Sequence, residues 1–333
     1  MGYSLSKIAK ELGLSKATVS LILNGKAREM KISEELEQKV NDFCKKVNYV
    51  PNIHAQRINR KYVKNIGFLI THFEKNQNPF EDPNVSNFTG GIMLAAEKVD
   101  YRVSIQLFSP DMDESKVFNW LRNHEIDGLI YYGFDIPNDW RKIFYEEKRC
   151  VVGIGSEASE NIASVRIDNF KASADLTEYL IKKGKRKFFY VAGTNCYVGN
   201  ERLRGFFSVL DKYNINFPTE NLIYANFEEE KAEKFISNNI PDVDAIICAN
   251  DNMAIGAIKA LKKHNINVPD QIAVAGADNI AIGQYFTPSI TTFDNKPKEL
   301  GYLAFNTLYK MIKGGKPEDV VIESKIIIRD STK

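Results

Sequence analysis

The sequence predicts two unlike parts, a small all-α head and a larger α/β body built on doubly wound parallel sheets. Three observations carry that division. Residues 1–64 hold 13 lysines and arginines against 6 acidic residues, and the remainder holds 32 against 37. The overall charge of +2 therefore conceals a head of +7 and a body of −5, the balance expected when one end meets a polyanion that the other avoids. Two short amphipathic patterns flank a Gly13-Leu14 break near the start of the chain. From Asn65 onward, strand-like apolar runs alternate with amphipathic segments at a spacing of roughly 25–40 residues, the signature of parallel βα units. At 333 residues, 44% hydrophobic and 26% charged, the chain suits two or three ordinary domains.

In the head, Ser4 can cap a first helix whose inward residues are Leu5, Ile8, Ala9 and Leu12. Gly13 supplies a turn, and Ser15 can cap a second helix almost at once. Along Ser15–Asn24, Val19, Ile22 and Leu23 share one face, while Lys16, Ala17, Ser20 and Leu21 share the other. That outward face is short-chained and free of acid, as a helix pressed into a major groove requires, although so apolar a helix also suits a core. The connection is tight enough for a helix-turn-helix. A third helix is expected from Ser33, with Glu34 and Glu35 placed favourably against its dipole. Leu36, Val40, Phe43 and Val47 make its buried stripe, and Tyr49 closes it. Pro51 then breaks the chain and can start a short helix. That helix presents Ala55 and Ile58 among Gln56, Arg57 and Arg60, which fits either a solvated linker or a wedge between minor-groove base steps.

The body's strand-like runs are 66–71, 103–107, 128–132, 150–154, 188–192, 245–249 and 272–275. Val151–Ala158 spells G-x-G-x-x-A after a strand. A dinucleotide site needs a full helix directly after those glycines, and Ser159–Ser164 is too short and polar to supply one before strand character resumes at Val165. No nucleophile elbow occurs. Cys44, Cys150, Cys196 and Cys248 lie far apart and read as thiols in a reducing compartment, and the four histidines show no metal-ligand spacing. No cofactor or metal is expected. Met1–Lys7 has no apolar export core and no window reaches a membrane span, so a cytoplasmic protein is expected.

The chain resembles the lactose/galactose repressor family of bacterial transcription regulators. In the head the resemblance rests on Ile8-Ala9, Leu14-Ser15, Thr18-Val19-Ser20, Leu23-Asn24, Tyr49-x-Pro51-Asn52 and Ala55-Gln56-x-Ile58. In the body it rests on Val165–Asn169 (V-x-x-D-N), Glu201–Phe206 (E-R-L-x-G-F) and Ala249–Ala257 (A-N-D-x-M-A-x-G-A). Val268–Asn279 and Pro288–Thr292 complete it. The resemblance implies a helix-turn-helix DNA-binding domain at 1–50 and a hinge helix and linker at 51–64. It implies a body like periplasmic sugar-binding proteins, with one lobe at 65–163 plus 293–322 and the other at 164–292 plus 323–333. Crossovers are placed near Ala163, Thr292 and Glu323.

By the same resemblance, Ser15, Lys16, Ala17, Thr18, Ser20, Leu21 and Asn24 face the major groove. Asn52, Ala55, Gln56 and Ile58 serve the minor groove, with Ile58 in place of the family's leucine wedge. Leu21 replaces a side chain that usually hydrogen-bonds, so it is expected to read a thymine methyl. Lys7 stands where relatives often carry an acidic capping-box partner, which predicts a weaker first helix start. The effector set is Phe80, Cys196, Arg202, Phe227, Asn250 and Asp278. Arg202, Asn250 and Asp278 flank strand ends, where open sheets bind ligands, and together offer donors and acceptors for adjacent hydroxyls. Asp251 is expected to cap the following helix. Two segments compete for the loop after the first strand, Asn78-Pro79-Phe80 and Asp82-Pro83-Asn84. Cys196 stands where a purine-binding relative has arginine, which argues against a purine. The expectation is a homodimeric regulator, not an enzyme, that binds operator DNA under the control of a small molecule, a sugar, held between two lobes. By this resemblance, no counterpart of the family's C-terminal tetramerising helix is expected.

Overall fold

A computed structural model describes residues 3–23, 25–49, 62–71, 78–109, 113–133 and 135–333. Asn24 and the expected hinge residues Asn52, Ala55, Gln56 and Ile58 lie outside the described residues. By internal contacts the chain divides into two units, 1–63 and 64–333.

The first unit holds α1 (Leu5–Leu12), α2 (Lys16–Leu23) and α3 (Glu34–Lys46). Each start is closed by a serine. Ser4 Oγ accepts from the Lys7 amide at 3.3 Å, Ser15 Oγ from Thr18 at 3.0 Å and Ser33 Oγ from Leu36 at 3.3 Å, satisfying donors a helix leaves open. Gly13 ends α1 at φ 66°, a left-handed turn that costs glycine little. The core is Ile8, Ala9, Val19, Ile22, Ala27, Val40 and Cys44, with Leu36, Phe43 and Tyr49 packed at its rim. Cys44, not the expected Val47, is the last fully buried residue of α3. Lys7, expected to weaken the start of α1, has its own local partner: its ammonium lies 4.4 Å over the Tyr3 ring, a cation–π contact.

The second unit begins with β1 (Asn65–Thr71), α4 (Pro83–Glu97), β2 (Arg102–Phe108), α5 (Ser115–Arg122) and β3 (Leu129–Tyr132). It continues with α6 (Asn138–Glu146), β4 (Val151–Ile154), β5 (Ile162–Ile167), α7 (Asn169–Lys182), β6 (Phe188–Ala192) and α8 (Tyr197–Lys212). Then come β7 (Leu222–Tyr224), α9 (Glu229–Asn238), β8 (Ala245–Cys248), α10 (Asp251–Lys263), β9 (Ala273–Ala275) and α11 (Ala281–Tyr285). Last are β10 (Thr292–Phe293), α12 (Pro297–Ile312), β11 (Val320–Ile322) and β12 (Ile326–Ile327). One parallel sheet runs β11-β5-β4-β3-β1-β2 and the other β7-β6-β8-β9, while β10 and β12 pair antiparallel. Both sheets are doubly wound, as the alternation predicts, and their central strands are buried Val/Ile/Phe runs.

The first crossover is the correction. Ile162–Ile167 pairs in register with Val151–Ile154 and with Val320–Ile322, so the chain leaves the first sheet beyond Ile167, not near Ala163. Periodicity cannot see this, because a strand looks the same whichever lobe it joins. No helix follows Gly155: the chain turns into β5, which removes the geometry a dinucleotide site needs.

Helices meet where glycine removes a side chain. A Cβ on Gly91 of α4 would lie 2.1 Å from the Lys298 carbonyl, and one on Gly301 of α12 would lie 2.2 Å from that of Phe88. Gly205 and Gly256 stand as close to the carbonyls of Phe170 and Glu229. Gly301→Ala will force α4 and α12 apart and cost about 1–3 kcal/mol, read as a lowered urea midpoint; an unchanged midpoint would show that the pair can slide.

Candidate functional site

On α2, Ser15, Lys16 and Ala17 are exposed, while Thr18, Ser20 and Leu21 are half-buried beside the buried Val19 and Ile22. Ser15 Oγ accepts from the Thr18 amide and lies 2.9 Å from the Thr18 hydroxyl, so it is engaged as a cap. The helix carries no acid. Its exposed face is therefore small, neutral or cationic, and can approach phosphate and base edges without repulsion.

In the second unit the centre of the site is Arg202, on the second turn of α8 and 3% exposed. Its Nε donates to Asn169 Oδ1 at 2.8 Å, Nη1 to the Ala249 carbonyl and Nη2 to Asp278 Oδ1 at 2.8 Å. The guanidinium also lies 5.1 Å over the Phe293 ring. Three of the five N–H groups of the fork thus end on the protein, an arrangement arginine's rigid plane favours. Asp278 follows β9 at φ 102° and Asn279 at φ 56°, strain of the kind that collects at binding sites.

The other lobe completes the cluster. Asn84, on the first turn of α4, donates through Nδ2 to Asp278 Oδ2 at 3.2 Å and accepts from Asn295 Nδ2 at 3.3 Å. Asp82 caps α4 by accepting the Asn84 amide at 2.8 Å. Burial, with repulsion from Asp278 in support, raises the Asp82 carboxyl to about 6, against the lowering effect of the Asn84 hydrogen bonds. Asn84, not Phe80, therefore carries this loop to the site. Phe80 is 41% exposed in a short 3-10 turn, where its carbonyl accepts from Ser86 Oγ.

Asn250 and Phe227 are tied together. Asn250 Oδ1 accepts the Met253 amide at 2.9 Å, and its Nδ2 donates to the Phe227 carbonyl at 3.0 Å. Asn250, not Asp251, is thus the cap of α10. Phe227 sits at φ 64°, and a Cβ on Gly193 would lie 2.0 Å from its ring. The bare backbone of Gly193 makes the room for that ring. Cys196 is half-buried at the cap position of α8 and makes no side-chain cap bond. The α8 amide at Tyr197 donates instead to Asp135 Oδ2 of the opposite lobe at 3.2 Å.

Three participants carried no sequence assignment. Asn169 ends the V-x-x-D-N motif, so its signal was present. Asn84 belongs to one of the two competing loop segments. Tyr132 ends β3 and packs 4.7 Å from Phe88. Its phenol is pushed well up, first by burial and then by the charges of Asp82 and Asp278, with Arg202 opposing. Those neighbours place it between the lobes. A separate cavity of about 860 Å3 shares Asn84 and Asp278 with this cluster but is lined by none of Arg202, Phe227 or Asn250.

Residues 4–52 match the profile described as bacterial regulatory proteins, lacI family, and residues 177–332 match a periplasmic binding protein-like domain. The regulator RegA of Clostridium acetobutylicum is 32% identical, with all of both chains covered. Catabolite control protein A of Staphylococcus aureus is 28% identical, again over all of both chains. Among solved structures, the lac repressor dimer bound to operator and the anti-inducer ONPF superposes with a TM-score of 0.83 at 20% identity, covering 100% of this chain and 99% of that one. A CelR–cellobiose complex does so at 0.74 and 22%, covering 99% of each. No described helix is long and apolar enough to cross a membrane. A capped second helix with an acid-free face, a buried arginine held by Asn169, Ala249 and Asp278, and a full-length match to RegA lead to one assignment: the chain belongs to the LacI family of bacterial transcription regulators.

Proposed function

We propose that this regulator is a cytoplasmic homodimeric repressor, without enzymatic activity, whose grip on a near-palindromic operator is set by a small polyol held between its lobes. The observation that carries the reading is the chain Asn84–Asp278–Arg202. It joins both lobes at the ends of their strands, where α/β sheets bind ligands. Arg202, Asp278, Asn250 and Asn84 supply the polar groups, with Tyr132 and Phe227 as apolar walls and Cys196 at the rim. Bound ligand favours one lobe angle over another by its differential contacts. In a dimer that angle sets whether two hinge segments, with Asn52, Ala55, Gln56 and Ile58, insert together. Lys16, Ala17 and Leu21 read bases, and Ser15, Thr18, Ser20 and Asn24 support them. A dimer face is supplied by the exposed Met93, Leu94, Ile105 and Leu107 of α4 and β2, with Ile282 and Tyr285 of α11. The lobes divide at the passages between the two sheets, and 51–64 links them to the DNA-binding head.

The test is operator binding by fluorescence anisotropy, with a site selected from random duplexes. Ile58→Ala will weaken specific binding at least about tenfold and leave nonspecific binding unchanged, because unstacking and the contacts it allows occur only at the operator. Equal losses on both DNAs at matched salt would refute the wedge.

A further inference from the structure

We infer that Asp82 makes this regulator acid-sensitive: a proton on its carboxyl favours the lobe arrangement described above and shifts operator binding with it. The shift in operator binding rests on the reading that lobe angle governs the grip on DNA, and the proton site itself rests on the side-chain cluster. Asn84 holds two carboxylates, one from each lobe. Its backbone amide donates to Asp82 Oδ1 at 2.8 Å, and its side-chain Nδ2 donates to Asp278 Oδ2 at 3.2 Å. Asp278 is already answered by Arg202 Nη2 at 2.8 Å, an ion pair 3% and 9% exposed at its two side chains. Asp82 thus brings a second negative charge to a buried pair that is already balanced. Burial, and then the charge of Asp278, oppose its ionisation.

Parting the lobes removes both causes. Asp82 stays with α4 and returns to water, while Asp278 leaves with the other lobe, so the carboxyl falls back to the ordinary carboxylate range of about 4. With the lobes together the same carboxyl titrates at about 6. Acid therefore favours the arrangement that holds the proton more tightly, and from pH 7.5 to 5 the ratio of the two arrangements rises about tenfold. Other charged groups face the cluster from several elements. The Tyr132 phenol, at the end of β3, is pushed well up by burial and by both carboxylates. Asp251 lies behind Asp278 on the Ile280 amide of its own lobe, a bond that parting the lobes leaves in place. Lys296, Lys298, Glu299 and Arg329 line the adjoining cavity. Asp135 crosses elsewhere, to the Tyr197 amide, and burial raises its carboxyl too. His72 lies outside the described residues.

The experiment is amide hydrogen exchange of the full-length protein at pH 5, 6 and 7.5, read at Tyr197, whose amide donates to Asp135 across the lobes. Asp82→Asn and Asp82→Ser both keep a side chain able to cap α4, and neither carries a charge. The ratio of variant to natural protection cancels intrinsic exchange rates and every group that titrates alike in both proteins, Asp135 and His72 included. That ratio will narrow about tenfold between pH 7.5 and 5, because acid brings the natural protein toward the uncharged variant. A merely structural cap would offset the ratio equally at every pH. Operator affinity by fluorescence anisotropy, on the selected site at the same pH values, will show a variant-to-natural ratio that narrows alongside. A protection ratio that does not change with pH, or an amide unprotected in both proteins, overturns the inference and leaves the ligand reading standing. Protection that narrows while operator affinity does not follow keeps the proton site and overturns the reading that lobe angle governs DNA binding.

Discussion

Arg202→Met will lower the stability of the body by about 3–5 kcal/mol and abolish its response to ligand. The cost follows from what is left behind. Asp278 is 8% exposed at a strained φ of 102°, and without the guanidinium its charge is buried uncompensated, a change that destabilises strongly. Asn169 Oδ1 and the Ala249 carbonyl lose their donors as well, each a further desolvated acceptor. The double variant Arg202→Met/Asp278→Asn separates structure from function. Removing both charges returns most of the stability, since an apolar substitute for a buried pair is often near neutral, but the ligand response stays lost. Urea unfolding reads the first effect and ligand-dependent operator release the second. A double variant that still releases operator as the natural protein does would refute the binding role.

Stability will also fall as pH rises from about 5 to 7.5, through Asp251 above all, with Asp82 adding to the loss below about pH 6. Asp251 has no exposed surface. Burial, and then the charge of Asp278, raise its carboxyl to about 8, against opposing effects from Thr292, the Ile280 amide and Arg329. Unfolded, it titrates in the ordinary carboxylate range. Between those values the folded state binds the extra proton, so the derivative of unfolding free energy with pH is negative. The contribution is fully present below the unfolded value and is lost as pH climbs toward 8, at about 1.4 kcal/mol per pH unit. Asp251→Asn mimics the protonated form. The difference in unfolding free energy between variant and natural protein will grow in the variant's favour by that slope, measured at pH 5.5, 6.5 and 7.5. A difference independent of pH would mean Asp251 is ionised throughout.

Local pattern revealed the elements, and long-range contact decided the site. The serine caps, the Gly13 turn and the strand runs are all settled within a few residues of chain, so periodicity and capping chemistry expose them. Arg202, Asn250 and Asp278 were readable because motifs mark them. Asn84 was only half-readable: its partner Asp278 is 194 residues away, and the choice between the Phe80 and Asn84 segments depends on how one lobe faces the other. Tyr132 hid for a similar reason, as Tyr131 and Tyr132 look alike in sequence. The pleat sends the first to Ser156 at 2.9 Å and the second toward the cleft. Asp251 misled because it sits beside a true cap. Burial, invisible in sequence, gives the cap to Asn250 and makes Asp251 a titrating core residue.

The helix that carries Arg202 has its first amide answered by Asp135 of the opposite lobe. That bond and the one from Asn84 to Asp278 are among the described hydrogen bonds that tie one lobe to the other. Each is worth about 1.5–3 kcal/mol when its acceptor is charged, so these two favour this lobe arrangement by only a few kcal/mol. A balance that slight leaves both populations within reach of an ordinary ligand's preference. It also makes the set point of the regulator adjustable: weakening Asp135 would shift the ligand concentration at which it responds, without touching either the ligand or the DNA.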